Sequence, residues 1–147
     1  MGEAPPRYEF RHFRLEERFP FRDLPVMPTV CLLVADQIDP PYEYDEFVMD
    51  LMTIGCGYFM AWGAAANKFE DVLDENIVML SVKRNDDTFA MTSAHEDEPA
   101  EDVAHFMLKL ALLGEPAIRC CIGFADHVSA LRQDELRREI QKIMGNT

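Results

Sequence analysis

The sequence predicts a small three-layer α/β sandwich with a mostly parallel sheet, Rossmann-like or flavodoxin-like in the loose sense. Three observations carry this. Short β-prone runs near residues 30–34, 58–62, 88–93 and 118–124 alternate with amphipathic stretches of helical period. Strands separated by helices imply right-handed crossovers and helices on both faces of the sheet. The first of these runs, Val30 to Val34, has no polar alternation, as suits a central parallel strand covered on both sides.

Taken in order, residues 1–28 contain Pro5, Pro6, Pro20, Pro25 and Pro28 and read as an extended arm packed on the domain, with room for one edge strand. Its aromatics, Tyr8, Phe10, Phe13, Phe19 and Phe21, need burial, while Arg7, Arg11, Arg14, Arg18 and Arg22 face water or acidic surface. Residues 29–147 then form one α/β domain. Asp39-Pro40-Pro41 turns the chain, and Tyr44, Phe47, Val48, Leu51 and Ile54 mark a helix face that stops at Gly55 and Gly57. After the strand Tyr58 to Trp62, a second helix points Phe69, Val72, Leu73, Ile77 and Leu80 inward and Glu70, Asp71, Asp74 and Glu75 outward.

Asn85-Asp86-Asp87 leads into the third strand. An acidic turn, His95-Glu96-Asp97-Glu98, follows it, and a helix begins near Pro99 with Val103, Phe106, Met107, Leu110 and Leu113 on one face. Gly114-Glu115-Pro116 ends that helix. The last strand, Ile118 to Phe124, runs through Ala125-Asp126-His127 into a final helix. There Val128, Leu131, Leu136, Ile140 and Ile143 are expected inward, and Arg132, Arg137, Arg138 and Lys142 mostly outward.

Composition narrows the function. A chain of 147 residues with 48% hydrophobic content can build its own core without metal or disulfide staples. No apolar run approaches the length of a membrane span, and the N-terminal segment lacks the basic and apolar regions of an export signal. Cys31, Cys56, Cys120 and Cys121 show no C-x-x-C spacing and read as buried free thiols of a cytoplasmic protein. The net charge of −13 is concentrated in residues 36–102, which hold 17 acids against 3 bases. That field repels phosphate-rich ligands, so nucleic acid is not an expected partner; a membrane is not expected either, for want of an apolar span. A basic protein fits it, and self-association stays open.

Several chemistries lack their signatures. Gly55, Gly57 and Gly63 do not form a dinucleotide fingerprint, because two of the three precede the strand instead of following it. No G-x-S-x-G elbow or P-loop occurs. A receiver domain wants an acidic pair after its first strand and a lysine after its last, whereas here Asp36 is followed by Gln37 and the last strand runs into Asp126.

Two segments, Ile54 to Asn76 and Phe89 to Phe106, resemble an uncharacterised family of small bacterial domains. Its pattern runs G-C-x-Y-M-M-A-W-G, then W-D-D-x-x-D-x-A-N, then V-M-T-T-W-H-x-D-E-P-L-E-E. The matching positions are Gly55, Cys56, Tyr58, Met60, Ala61, Trp62 and Gly63, then Asp71, Asp74 and Asn76, then Met91, Thr92, His95, Asp97, Glu98 and Pro99. Phe69 and Ala94 stand where the pattern has tryptophans, and Glu70 where it has an aspartate. The resemblance implies an α/β fold and a site location but names no reaction.

In a parallel sheet, ligands bind where strands end. Asp36, Trp62 with Gly63, the turn His95-Glu96-Asp97, and Asp126 leave strands at that edge, and with Asp71 and Asp74 they form the candidate binding set. No catalytic residue, metal ligand or cofactor is assigned. The sequence is read as an acidic cytoplasmic interaction protein, an immunity-type or other inhibitor, without enzymatic activity. The rival is a metal-dependent hydrolase-like enzyme using His95, Asp97 and a carboxylate from Asp36 or Asp126.

Overall fold

The computed structural model describes residues 7–13, 23–37, 45–85, 90–113, 118–125 and 127–145. Five strands form one parallel sheet: β1 (Arg7–Phe13), β2 (Thr29–Val34), β3 (Cys56–Trp62), β4 (Met91–His95) and β5 (Arg119–Ala125), in the order β1-β5-β2-β3-β4. Four helices intervene: α1 (Asp45–Thr53), α2 (Ala66–Arg84), α3 (Ala100–Leu113) and α4 (Ala130–Gly145). The path from β2 through α1 to β3, and through α2 to β4, moves one way along the sheet. The path from β4 through α3 to β5 returns past both. With right-handed crossovers this places α1 and α2 on one face and α3 on the other. Accordingly α1 packs on α2, and α4 packs on α3.

The position of each strand explains its sequence. The inner strands β2 and β5 are buried at every residue, which is why their sequences run apolar without alternation. The edge strands β1 and β4 are mostly half-buried. Thus the arm does supply an edge strand. Phe13 packs tilted against Phe47 of α1 at 5.5 Å, while Phe10, on the opposite side of the same strand, stacks on Phe124 at 6.3 Å. Tyr8 is half-buried against the core; Phe19 and Phe21 fall outside the described residues, as do Tyr44, Phe89 and the turn at Asp86-Asp87.

Two of the shifts in strand boundary bear on the site, and β4 also starts later than expected, at Met91. β3 begins at Cys56, two residues early, because Thr29 pairs with Cys56 and Val30 with Tyr58, leaving Gly57 as an extra, exposed residue in a bulge. β4 continues to His95, which pairs with Trp62, so His95 belongs to the strand and not to the turn. Two glycines are fixed by backbone geometry. Gly55 has φ +109° and abuts the Met27 carbonyl, and Gly63 has φ +111° and abuts that of Ala35.

Helix packing corrects the last amphipathic face. Leu136, Ile140 and Ile143 are buried, but Leu131 is 65% exposed. Stepping back four residues from Leu136 along the buried stripe reaches Arg132, so Arg132 takes the inward position. Its guanidinium lies 4.9 Å from the centre of the Trp62 ring. Arg137 is exposed, as expected, while its guanidinium lies over Phe10 and Phe124 at 4.4 and 5.3 Å.

At the amino edge a guanidinium takes the place of apolar packing. Arg119 is 2% exposed and donates to the Thr29 hydroxyl from Nε and Nη2, to the Pro25 carbonyl at 2.8 Å and to the Ile54 carbonyl at 3.0 Å. It thereby ties the segment entering β2 to the end of α1. No helix is long and apolar enough to cross a membrane among the described residues.

Candidate functional site

Because all five strands are parallel, the segments following β2, β3 and β4 emerge at one edge, and the structure brings Asp36, Trp62 and Gly63 together there. The missing side chain at Gly63 admits the end of β2: Ala35 donates to the Trp62 carbonyl at 2.9 Å and accepts from the Ala65 N–H at 3.2 Å. Asp36 Oδ1 accepts from the Ala64 N–H at 2.9 Å and pairs with Arg132 Nε at 3.2 Å. His127 accepts the Asp36 N–H at Nδ1, 3.4 Å, and its Nε2 lies 3.0 Å from the Gln37 carbonyl. A ring that accepts at Nδ1 carries its proton on Nε2, so both contacts are satisfied by one tautomer. Asp36 is therefore committed to the fold, holding the start of α2 and α4 against the end of β2. Asp126 lies outside the described residues.

The second cluster surrounds His95, which is 4% exposed. Its Nδ1 lies 2.7 Å from Glu98 Oε2 and its Nε2 lies 2.7 Å from Ser93 Oγ. Phe106 of α3 meets the ring edge-on at 4.6 Å. Trp62 joins the two clusters, since its indole N–H donates to the Glu98 carbonyl at 2.9 Å. Asp97 is exposed and Glu96 half-buried in the turn beyond. Both nitrogens of His95 face protein partners, so the expected grouping of His95 with Asp97 and Asp36 is not assembled. Among the described residues no three His, Cys, Asp or Glu side chains are placed to hold a metal ion.

Asp71 and Asp74 are not brought to this edge cluster. They lie on α2, on the face of the sheet opposite to the α3 side where His95 meets Phe106. Thr92, which alternates with Ser93 along β4, faces α2, with its hydroxyl 2.6 Å from Asp74 Oδ1 and 3.1 Å from Glu70 Oε2. Further along the outer side of α2, Val78, Met79 and Val82 are 61%, 52% and 68% exposed. Asp74, Glu75, Val78 and Met79 line a shallow hollow there.

The four cysteines are free and buried. Burial holds the Cys31 thiol well above its ordinary range and pushes Cys120 up to about 12. Cys121 is lowered, first by its hydrogen bond with Cys31, yet it is fully buried. None of these three thiols is placed to attack a substrate.

Sequence reasoning missed Ser93 and Arg132. The signal for Ser93 was its period-two spacing from His95, legible once both are placed on one strand. Glu98 was legible as a member of the acidic turn and of the family pattern, but nothing short of the fold shows it reaching back to His95.

A search of curated proteins finds no match to this chain. A family model described as a domain of unknown function, DUF7684, matches residues 10–142, from within β1 to within α4. The match takes in part of the arm strand, the Trp62–Gly63 corner and the His95–Glu98 turn together, and the chain belongs to the DUF7684 family.

Proposed function

We propose that this chain is an acidic bacterial interaction protein of the cytoplasm, an inhibitor of immunity type, and that the outer side of α2 receives a basic protein partner. The observation that carries this reading is the exposure of Val78, Met79 and Val82 beside Asp71, Asp74 and Glu75, which are themselves exposed. Apolar side chains at helical spacing, set in a field of one sign, are what a docking helix offers. The apolar positions exclude water at the centre of a contact, while the acids steer and orient a cationic partner. Acids predominate from residue 36 to 102, with 17 against 3 bases, so the steering field extends beyond the helix itself. Lys83 and Arg84, in the last turn of α2, are two of those three bases.

The test is affinity capture from the source cell followed by binding measurements with the isolated partner. Two variants are compared with the native chain: Asp71→Asn with Asp74→Asn and Glu75→Gln, and separately Val78→Ser with Val82→Ser. The expected partner is basic, binds less well as salt rises, and is weakened by both variants. An acidic partner, or binding indifferent to both variants, would refute the reading.

A further inference from the structure

The contacts of His95 define more than a satisfied buried histidine. A carboxylate only accepts hydrogen bonds, so with Glu98 ionised the His95 Nδ1 at 2.7 Å carries a proton. In the neutral ring Nε2 is then the acceptor, and the Ser93 hydroxyl at 2.7 Å donates to it. This is the arrangement in which an imidazole can take a hydroxyl proton while a carboxylate holds its tautomer. The ring is fixed on its other sides by the Phe106 edge, and the Glu98 turn by the Trp62 indole. Ser93 itself is only half-buried.

The surroundings suit an acyl substrate. No strand covers the outer side of β4 among the described residues, so alternate N–H groups there lack a strand partner and one belongs to Ser93 or an immediate neighbour. Such groups can donate to a developing oxyanion. Met91, on the same side of β4 two residues before Ser93, is 53% exposed, and half-buried Tyr58, its partner in register, packs on Phe106. The adjoining turn is acidic through Glu96, Asp97 and Glu98, which disfavours anionic substrates.

The geometry points to Ser93 as a nucleophile with His95 as its general base and Glu98 as the positioning residue, hydrolysing neutral esters of small apolar acyl groups. Ser93 Oγ bonds to the carbonyl carbon as its proton passes to His95 Nε2. The ester C–O bond then breaks, and the leaving alkoxide takes that proton. Water, deprotonated by Nε2, attacks the acyl-serine, and its addition releases the acid and returns the proton to Ser93. A strand-borne serine carries no elbow motif, so its spacing from His95 is the one local sign of it. The site faces α3 and the proposed docking side is the outer side of α2, across the sheet, so the failure of either leaves the other standing.

The experiment treats the full chain with a fluorophosphonate probe, locates the adduct by peptide mass spectrometry, and measures p-nitrophenyl butyrate turnover. Ser93 is the expected site of a single adduct, lost in Ser93→Ala, whose half-buried hydroxyl is dispensable to packing. Labelling and turnover fall by about 100-fold or more in His95→Gln. They fall also in Glu98→Gln and are partly restored in Glu98→Asp, with native Trp62 fluorescence certifying the fold of each variant. Absence of a Ser93 adduct in the native protein, or labelling unchanged in folded His95→Gln, would overturn the assignment.

Discussion

Replacing Gly63 with alanine tests the corner on which the carboxyl edge is built. At φ +111° an L-residue is strained, which costs roughly 1–3 kcal/mol. The added Cβ would also press on the Ala35 carbonyl and lie 2.9 Å from Asp36 Oδ1. Relieving that overlap loosens two hydrogen bonds, Ala65 N–H to the Ala35 carbonyl at 3.2 Å and Ala64 N–H to Asp36 at 2.9 Å. At about 1 kcal/mol each these bring the expected loss to roughly 3 kcal/mol or more, a large share of the ~5–15 kcal/mol typical of a domain. Urea unfolding reports it directly, because Trp62 is the only tryptophan and is 1% exposed in the fold. In a thermal scan the same loss lowers Tm by about 6–12 °C. Gly57→Ala is the control: a Cβ there meets nothing within 4 Å and its φ is not positive, so stability should hold or rise slightly. A loss below about 1 kcal/mol in Gly63→Ala, or equal losses in both variants, would refute the reasoning.

Arg119→Lys should cost at least about 2 kcal/mol in the same assay, because an ammonium cannot reach Thr29, Pro25 and Ile54 together and leaves buried carbonyls unpaired. Tyr8→Phe should be neutral or stabilising by up to about 1 kcal/mol, since the Tyr8 hydroxyl is buried without a partner among the described residues. Alkaline pH should destabilise the fold. Burial raises Cys120 from 9.0 to about 12 and Tyr8 from 10.0 to about 12, so the unfolded chain releases these protons first. Their stabilising effect is full below the unfolded values and is lost as pH climbs toward 12. Stability should therefore be flat up to about pH 9 and then fall, for Cys120 by up to about 1.4 kcal/mol per pH unit. Cys120→Ala should flatten that fall; an unchanged slope would remove Cys120 from the account.

The fold was legible because its signals are periodic. The unbroken apolar run of β2 announced an inner parallel strand, and the stripes Phe69, Leu73, Ile77, Leu80 and Val103, Met107 announced their helices. What escaped was set by side chains reaching across the chain. Arg132 read as a solvent cation because a charge on a helix usually is one, and only the packing of α4 over Trp62 turns it inward. The bulge at Gly57 depends on register with β2, which no local pattern encodes. His95 looked like a turn residue because acids follow it at once, yet pairing with Trp62 draws it into β4. At the expected edge Asp36, Trp62 and Gly63 do meet, while Asp71 and Asp74, candidates on the acidic face of α2, lie across the sheet from His95.

The central claim is that the outer side of α2 binds a cationic protein by steering with its acids and anchoring with its apolar residues. Stopped-flow association of the isolated partner, measured across ionic strength, separates these two roles. Exposed charges act over about 8–10 Å at physiological salt, so the acid-to-amide variant should slow association and flatten its salt dependence, with little change in dissociation. Val78→Ser with Val82→Ser should do the reverse, speeding dissociation and leaving the salt slope intact. A salt slope identical in the native chain and the acid-to-amide variant would contradict the account.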